Sequence, residues 1–155
     1  MDIMPDLDLI DREYAYDGEL GALYSQAQTT FRVWSPMAER AVLKLYLSAR
    51  ANTPHSTLEM SRDGGVWEVA VPGDLHGVYY TYEFTIGGTS RETIDIYARS
   101  AGANGVRGMV VDLSRTDPDG WDGDRPVKLE SYTDAVIYEL HVRDFSSDES
   151  GNFRL

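Results

Sequence analysis

A strict two-residue alternation in the segment VYYTYEFTI, residues 78–86, constrains the fold more than any other feature of the sequence. Because successive side chains of a β-strand point to opposite faces, the pattern predicts a strand with one buried face. The predicted buried face comprises Val78, Tyr80, Tyr82, Phe84 and Ile86, and the opposite face comprises Tyr79, Thr81, Glu83 and Thr85. The Gly87-Gly88 pair that follows predicts a tight turn into the next strand.

Six further segments carry shorter or weaker strand patterns. The predicted strands besides 78–86 are 29–34, 41–47, 57–62, 66–71, 91–96 and 109–113. Turn-forming residues separate them, most clearly Asp63-Gly64-Gly65, and no long stretch shows a helical period. About seven short strands at spacings of roughly 8–12 residues predict an all-β fold, an immunoglobulin-like antiparallel β-sandwich.

The composition indicates a globular protein and excludes several partners. Hydrophobic residues make up 42% of the chain and charged residues 26%, as in folded domains. The formal net charge of −12 disfavours nucleic acid and anionic membrane surfaces, which it would repel. A neutral sugar polymer is not disfavoured. The absence of cysteine excludes disulfides and thiolate zinc sites.

The sequence says little about the compartment. No stretch is long and apolar enough to predict a membrane span. Residues 1–11 are acidic and lack the basic and apolar regions of a signal peptide, so we expect none in this chain. The compartment stays undetermined, with the cytoplasm slightly favoured.

No motif in the chain predicts catalysis or metal binding. The three histidines, His55, His76 and His141, are isolated, and no metal-ligand, phosphate-loop or nucleophile motif occurs. Glycosidase chemistry needs two carboxyl groups roughly 5–10 Å apart across a cleft, and a small sandwich offers no evident cleft. We therefore predict no catalytic residue, no metal and no cofactor in this chain.

Two aromatic residues are candidates for carbohydrate binding, because sugar rings stack on aromatic side chains. Tyr79 lies on the face opposite the apolar stripe of its strand, so we expect it to be exposed; a contact with another domain would explain it equally well. Trp67 lies in the predicted strand 66–71, where packing in the core is the alternative interpretation.

The C-terminal part of the chain has a different character. The segment AVIYEL, residues 135–140, is nearly all apolar, which is typical of a strand covered on both faces in a parallel sheet. Residues 115–133 are rich in Asp, Pro and Gly and resemble a linker. We predict an N-terminal tail or the end of a preceding module (1–15), the sandwich (16–114), the linker (115–133) and the start of a larger domain (134–155).

Several motifs resemble one known family. They are YDGELGALYSQAQTTFRVWSPMAERAVLKLY, DGGVWEVAVPGDLHGVYYTYEF, ETIDIYARSAGANGVRGMVVDL and DAVIYELHVRDFS, which together span about residues 16–147. The chain resembles carbohydrate-binding module family 48, the immunoglobulin-like (E-set) module that precedes the catalytic barrel in type I pullulanases and related α-1,6-glucan debranching enzymes of glycoside hydrolase family 13. The motifs N-G-x-R-G-M-V-V-D-L and V-I-Y-E-L-H-V-R-D-F point towards pullulanases.

The resemblance implies a non-catalytic accessory module whose main partner is its own (β/α)8 barrel. Residues 134–155 would be the start of that barrel, truncated here, and the family's catalytic residues would lie beyond Leu155. We therefore expect this chain to be inactive alone. The parent enzyme would hydrolyse α-1,6 branch linkages in pullulan, amylopectin, glycogen or limit dextrins. The alternatives are an active glucan-binding module that uses exposed aromatics outside the usual site, and an unrelated immunoglobulin-like interaction domain.

The chain departs from the family at three positions. Glycogen-binding members have a tryptophan after the turn that follows the long strand, where this chain has Thr89-Ser90-Arg91. They also have a lysine at the position of Glu83, so we expect the usual glucan site to be absent or badly weakened. A proline common in relatives is replaced by Ile96, which removes a residue that would stiffen the turn.

Overall fold

A computed structural model describes residues 6–147 in two units, one ending at Asp117 and the other beginning at Pro118. In its described part, the first unit contains one α-helix, nine strands and two 3-10 turns. These are α1 (Leu7–Glu13), β1 (Gly21–Tyr24), β2 (Gln28–Trp34), β3 (Arg40–Tyr46), β4 (Ser56–Glu59), β5 (Ser61–Asp63), β6 (Val66–Pro72), β7 (Tyr79–Ile86), β8 (Thr89–Thr93) and β9 (Gly108–Met109), with 3-10 turns at Ala103–Gly105 and Leu113–Arg115.

The strands form two antiparallel sheets. The first sheet has the order β1-β2-β6-β5, and the second has the order β4-β3-β7-β8, with β9 also paired to β7. The β7–β8 connection is the two-residue turn predicted at Gly87-Gly88, where both residues have positive φ. Such a turn matches the right-handed twist of the two strands.

One core lies between the sheets. Phe31 from the first sheet and Leu43, Tyr80 and Tyr82 from the second are fully buried. The Phe31 and Tyr80 rings meet edge to face with centroids 5.0 Å apart, a favourable geometry for aromatic pairs. Because residues of both sheets share this core, the predicted immunoglobulin-like β-sandwich is confirmed. Of the predicted buried face of the strand at 78–86, Tyr80 and Tyr82 are buried and Val78 and Phe84 are partly buried, whereas Ile86, at the end of the strand beside the turn, is exposed.

The strand boundaries differ from the prediction at several places. β1 was not predicted, and the predicted strand at 57–62 is two strands in different sheets. The chain changes sheets at Met60, whose side chain is only 7% exposed. The predicted strand at 91–96 starts and ends earlier, as β8, and the one at 109–113 shrinks to the two residues of β9. β8 is an edge strand whose five residues are all exposed, and β9 pairs with β7 over two residues only, although Val110 just after it lies in the core.

A buried carboxylate supports the loop that follows β8. Asp95 is 3% exposed and accepts hydrogen bonds from the Tyr80 hydroxyl at 2.8 Å and from the Tyr97 backbone N–H at 2.9 Å. Burial raises the pKa of Asp95, although these hydrogen bonds oppose the rise. The Tyr80 hydroxyl, also buried, has a strongly raised pKa. The pair therefore works as a neutral donor and its acceptor, tying the loop to the core.

The N-terminal residues that the structure describes contact the sandwich. The Trp34 indole N–H donates to the Tyr14 carbonyl at 2.7 Å, and Ile10 of α1 is 9% exposed. Helix α1 is the longest in residues 6–147, and no helix there is long and apolar enough to cross a membrane. Whether 1–15 is a tail or the end of a preceding module stays open, and residues 1–5 lie outside the described residues.

The second unit contains little regular structure in its described part, residues 118–147. It has 3-10 turns at Trp121–Gly123 and Tyr132–Asp134, and one short helix, α2 (Val142–Phe145). The segment 135–140 forms no strand, and Val136 and Ile137 are exposed. Its assignment to the first strand of a barrel stays a prediction, and residues 148–155 lie outside the described residues. The predicted linker, 115–133, crosses the boundary between the two units.

Candidate functional site

A group of five polar residues covers the outer face of the second sheet, opposite the core. It consists of Lys44 and Tyr46 on β3, Thr81 and Glu83 on β7, and Glu92 on β8, and we call it the polar network. Antiparallel pairing places Lys44 opposite Thr81, and Glu83 opposite Glu92. Side chains directly opposite one another on one sheet face are close enough to interact.

The members of the polar network bind one another. Lys44 Nζ donates to Glu83 Oε2 at 2.7 Å and to Glu92 Oε2 at 2.8 Å. Glu92 Oε1 accepts from the Tyr46 hydroxyl at 2.6 Å and from Thr81 Oγ1 at 2.7 Å. The Lys44 side chain is only 18% exposed. The strongest donors and acceptors on this face are therefore already used within the protein.

The protonation states follow from these contacts. Burial acts to raise the pKa of Glu92, but hydrogen bonds from Lys44, Tyr46 and Thr81 outweigh it and lower the pKa to about 2. Burial likewise acts to lower the pKa of Lys44, and its two carboxylate partners raise it overall. Both groups are charged at neutral pH, so the polar network is held by ion pairs as well as hydrogen bonds.

An arginine covers the aromatic member of the polar network. The Arg107 guanidinium lies 3.6 Å from the centroid of the Tyr46 ring, a cation–π contact. The same guanidinium donates to the carbonyls of Ser48, Ala49 and Ala51. Arg107 belongs to the motif N-G-x-R-G, whose resemblance to the family gave no indication of this contact. Its structural role is to close the 48–51 loop over the sheet.

Two positions that the resemblance assigns to the usual glucan site, Glu83 and the start of β8, lie on the second sheet. Glu83 replaces the expected lysine, and its carboxylate is bound by Lys44 and lies 4.0 Å from the Arg40 guanidinium. Strand β8, which would carry the tryptophan, is exposed and has no aromatic residue. This surface thus consists of mutually satisfied ion pairs without an exposed ring on which a sugar could stack.

Trp67 and Tyr79, the two candidate binding residues, are not brought together. Trp67 is 6% exposed in the core of the first sheet, and its indole N–H donates to the Ser35 carbonyl at 3.0 Å. It leaves little ring surface for a ligand. Tyr79, on the second sheet, is half-buried rather than exposed as expected, because its ring packs on Gly102, where an added Cβ would lie 2.9 Å from it. Carbohydrate binding by these two residues stays a prediction.

Two concave surfaces of the first unit were not found from the sequence. The first, which we call the Tyr16 groove, has a volume of about 330 Å³ and is lined by Tyr16, Arg32, Ser61, Asp63, Val66 and Glu68. The second, which we call the apolar groove, has a volume of about 430 Å³ and is lined by Phe84, Ile86, Thr89, Arg91 and Thr93. The Tyr16 groove is built from residues that are far apart in sequence, and the apolar groove lies along the β7–β8 hairpin, residues 84–93. Alternation within a single strand reveals neither groove, because each needs side chains from more than one strand.

Residues 19–98 match the family model described as carbohydrate-binding module 48 (isoamylase N-terminal domain). The pullulanase of Bacillus subtilis is 44% identical over 144 residues, which cover 90% of this chain and 19% of that protein. The chloroplastic pullulanase 1 of Arabidopsis thaliana is 31% identical over 151 residues, which cover 91% of this chain and 16% of that protein. The chain therefore spans less than a fifth of these relatives.

Solved structures of pullulanases share the fold. The pullulanase from Bacillus acidopullulyticus superimposes with a TM-score of 0.78 at 44% identity, covering 92% of this chain and 18% of that one. The pullulanase from Paenibacillus barengoltzii, solved in complex with maltohexaose and α-cyclodextrin, gives a TM-score of 0.82 at 43% identity, covering 90% of this chain and 22% of that one.

Proposed function

This chain belongs to the carbohydrate-binding module 48 family, and on that premise we propose that it is a non-catalytic accessory module of a pullulanase-type glycoside hydrolase. The longer enzyme would cleave α-1,6 branch linkages in pullulan, amylopectin, glycogen or limit dextrins. The similarity of this chain to pullulanases that are about five times as long supports this assignment. The main task of the module would be to brace the catalytic (β/α)8 barrel that begins at 134–155.

The closed polar network is the observation that carries this proposal. Lys44 is held by Glu83 and Glu92, and the Tyr46 ring lies under Arg107. A sugar bound here would have to displace charge-assisted hydrogen bonds, which cost more to break than neutral ones. A module of this family without an open glucan site on this face is better suited to supporting its neighbour in the same polypeptide.

The apolar groove is the surface we assign to the barrel contact. Ile86 at its rim is 49% exposed, and Phe84 lines the groove beside it. A contiguous patch of exposed apolar residues on a folded domain is typical of a surface that binds a partner. Relatives of similar sequence carry most of their length outside the part that matches this chain, and that length supplies the partner.

The test compares two variants in the longer enzyme. Ile86→Asp should accelerate its thermal inactivation, because a charge in the groove opposes burial against the barrel. Leu47→Asp, at a position 67% exposed and outside the groove, is the matched control and should change little. Residual pullulan hydrolysis after heating is the measurement. Equal inactivation of the two variants would contradict the bracing role, as would pullulan hydrolysis by the 155-residue chain alone.

A second candidate function is glucan binding outside the usual site. The side chain that favours it among the predicted pair is Tyr79, which is only half-buried. An amide NMR titration of this chain with maltoheptaose should then shift resonances around Tyr79. Tyr79→Ala would remove those shifts if the residue contacts the sugar, and their persistence would place the binding elsewhere.

A further inference from the structure

We infer that the Tyr16 groove binds a short neutral saccharide. This inference rests on the second candidate function above, and assigns it a site that neither Tyr79 nor Trp67 occupies. The groove lies on the outer face of the first sheet, where pairing aligns Arg32 of β2 with Glu68 of β6, and Glu68 with Ser61 of β5. Three polar residues thus form one row across three strands.

An ion pair fixes the floor of the groove. Arg32 Nε donates to Glu68 Oε2, and the two side chains are 32% and 42% exposed. Pairing holds both planar groups in place before any ligand arrives, which lowers the entropy lost on binding. The exposure of both side chains keeps them within reach of a ligand.

The groove retains hydrogen-bonding capacity that the polar network lacks. Within residues 6–147, the two Nη atoms of Arg32, Glu68 Oε1 and the Asp63 carboxylate make no hydrogen bond or ion pair. Arg32 therefore offers N–H donors, and the two carboxylates offer acceptors. Vicinal hydroxyl groups of a sugar both donate and accept, so they match this mixed set.

An aromatic ring stands beside these polar groups. Tyr16 lines the groove and is 40% exposed. Its ring lies against the backbone of Gly18, where an added Cβ would overlap it. The segment is held to the sheet by the hydrogen bond between Trp34 and the Tyr14 carbonyl. Tyr16 is thus positioned as a stacking surface next to fixed hydrogen-bonding groups.

Charge and size narrow the class of ligand. Two carboxylates and one guanidinium line the groove, so an anion such as a phosphate would be repelled rather than bound. A volume of about 330 Å³ lies at the lower end of small-molecule sites. A short neutral oligosaccharide satisfies both conditions, and in this family we expect an α-glucan.

The experiment is a two-dimensional amide NMR titration of the 155-residue chain with maltoheptaose. The expected result is a saturable set of shifts confined to residues 14–19, Arg32 and 61–68. Tyr16→Ala should weaken binding by about tenfold or more, as for an aromatic contact at the centre of a site. Tyr16→Phe should keep affinity within about twofold, because it retains the ring.

Two further variants distinguish saccharide binding in the Tyr16 groove from non-specific contacts of the sugar with exposed tyrosines. Gly18→Ala should weaken binding like Tyr16→Ala, because the new methyl group displaces the ring without touching the polar groups. Tyr132→Ala removes a tyrosine that is 96% exposed in the second unit and should leave the titration unchanged. If Gly18→Ala binds as well as the unmodified chain, the position of the ring is irrelevant and the inference is wrong.

The outcomes also separate this inference from the bracing role. Shifts centred on the polar network, or on Tyr79, would overturn the Tyr16 groove as the site. No shifts at millimolar maltoheptaose would likewise overturn it, while the heat-inactivation test of Ile86→Asp would still decide bracing on its own. Shifts at the Tyr16 groove, together with faster heat inactivation of Ile86→Asp than of its control, would mean that the module both binds a saccharide and braces the barrel.

Discussion

Replacing Glu92 with glutamine removes the charge on which the polar network converges. Glu92 accepts from Lys44, Tyr46 and Thr81, and its pKa falls from the ordinary value of 4.5 to about 2. A pKa that is lower in the folded state means that folding favours the ionised form, so the charge stabilises the fold above pH 4.5. This stabilisation is lost as the pH falls from 4.5 through about 2.

The pKa change sets the magnitude. At about 1.36 kcal/mol per pKa unit it corresponds to about 3.4 kcal/mol. The Glu92 side chain is 36% exposed, so solvent screening reduces the expected value to about 1–2 kcal/mol. Glutamine has the same shape and can still accept from Tyr46, so the loss should come from the charge rather than from packing.

Urea unfolding at pH 7 and pH 3 measures the effect. Near-UV circular dichroism reports on the buried tyrosines of the sandwich. Glu92→Gln should lower the free energy of unfolding at pH 7 by the stated amount, and by less at pH 3. The control is Glu59→Gln, which breaks the ion pair between Glu59 and Arg40. Because the Glu59 side chain is 63% exposed, this variant should lower the free energy of unfolding by only about 0–1 kcal/mol. Equal losses in the two variants, or a loss at Glu92 that does not shrink at pH 3, would refute the argument.

Three further substitutions test the core and the loop after β8, all by thermal and urea unfolding. Tyr80→Phe should cost about 1–3 kcal/mol, because Asp95 loses a buried donor at 2.8 Å; a smaller loss would mean that water replaces the hydroxyl. Gly108→Ala should cost about 1–3 kcal/mol, because its Cβ would lie 2.9 Å from the immobile Tyr80 ring; an unchanged melting temperature would disprove that contact. Ile96→Pro should stabilise by about 0.4–1 kcal/mol, since Ile96 is 82% exposed at the second position of the turn closed by Ala98; destabilisation would show that the backbone there cannot accept proline.

Much of the fold could be predicted because its signals are local. The alternation at 78–86 placed Tyr80 and Tyr82 in the core, and Gly87-Gly88 placed the β7–β8 turn. The change of sheets at Met60 was missed, because a strand that leaves one sheet for another keeps the same side-chain alternation. Edge strand β1 was missed because it is short and buries only one of its four residues.

The candidate sites were less accessible to sequence reasoning. The replacement of the family's lysine by Glu83 was visible, but its partner Lys44 lies 39 residues away. The sequence offered Trp67 and Tyr79 as aromatic candidates without indicating that Trp67 is covered. Tyr16 carried no strand pattern, so its exposure beside Arg32 went unnoticed.

The sequence by itself determined the β-sandwich and the family, because side-chain alternation, turn residues and family motifs are each read within a few neighbouring positions. The tertiary structure decided which charges are paired and which remain free. Lys44 meets Glu92 across 48 residues of chain, and Arg32 meets Glu68 across 36. Strand order and register set these distances, and both result from packing the whole core at once. The closed polar network and the open Tyr16 groove are therefore properties of the fold, although every residue in them is printed in the sequence.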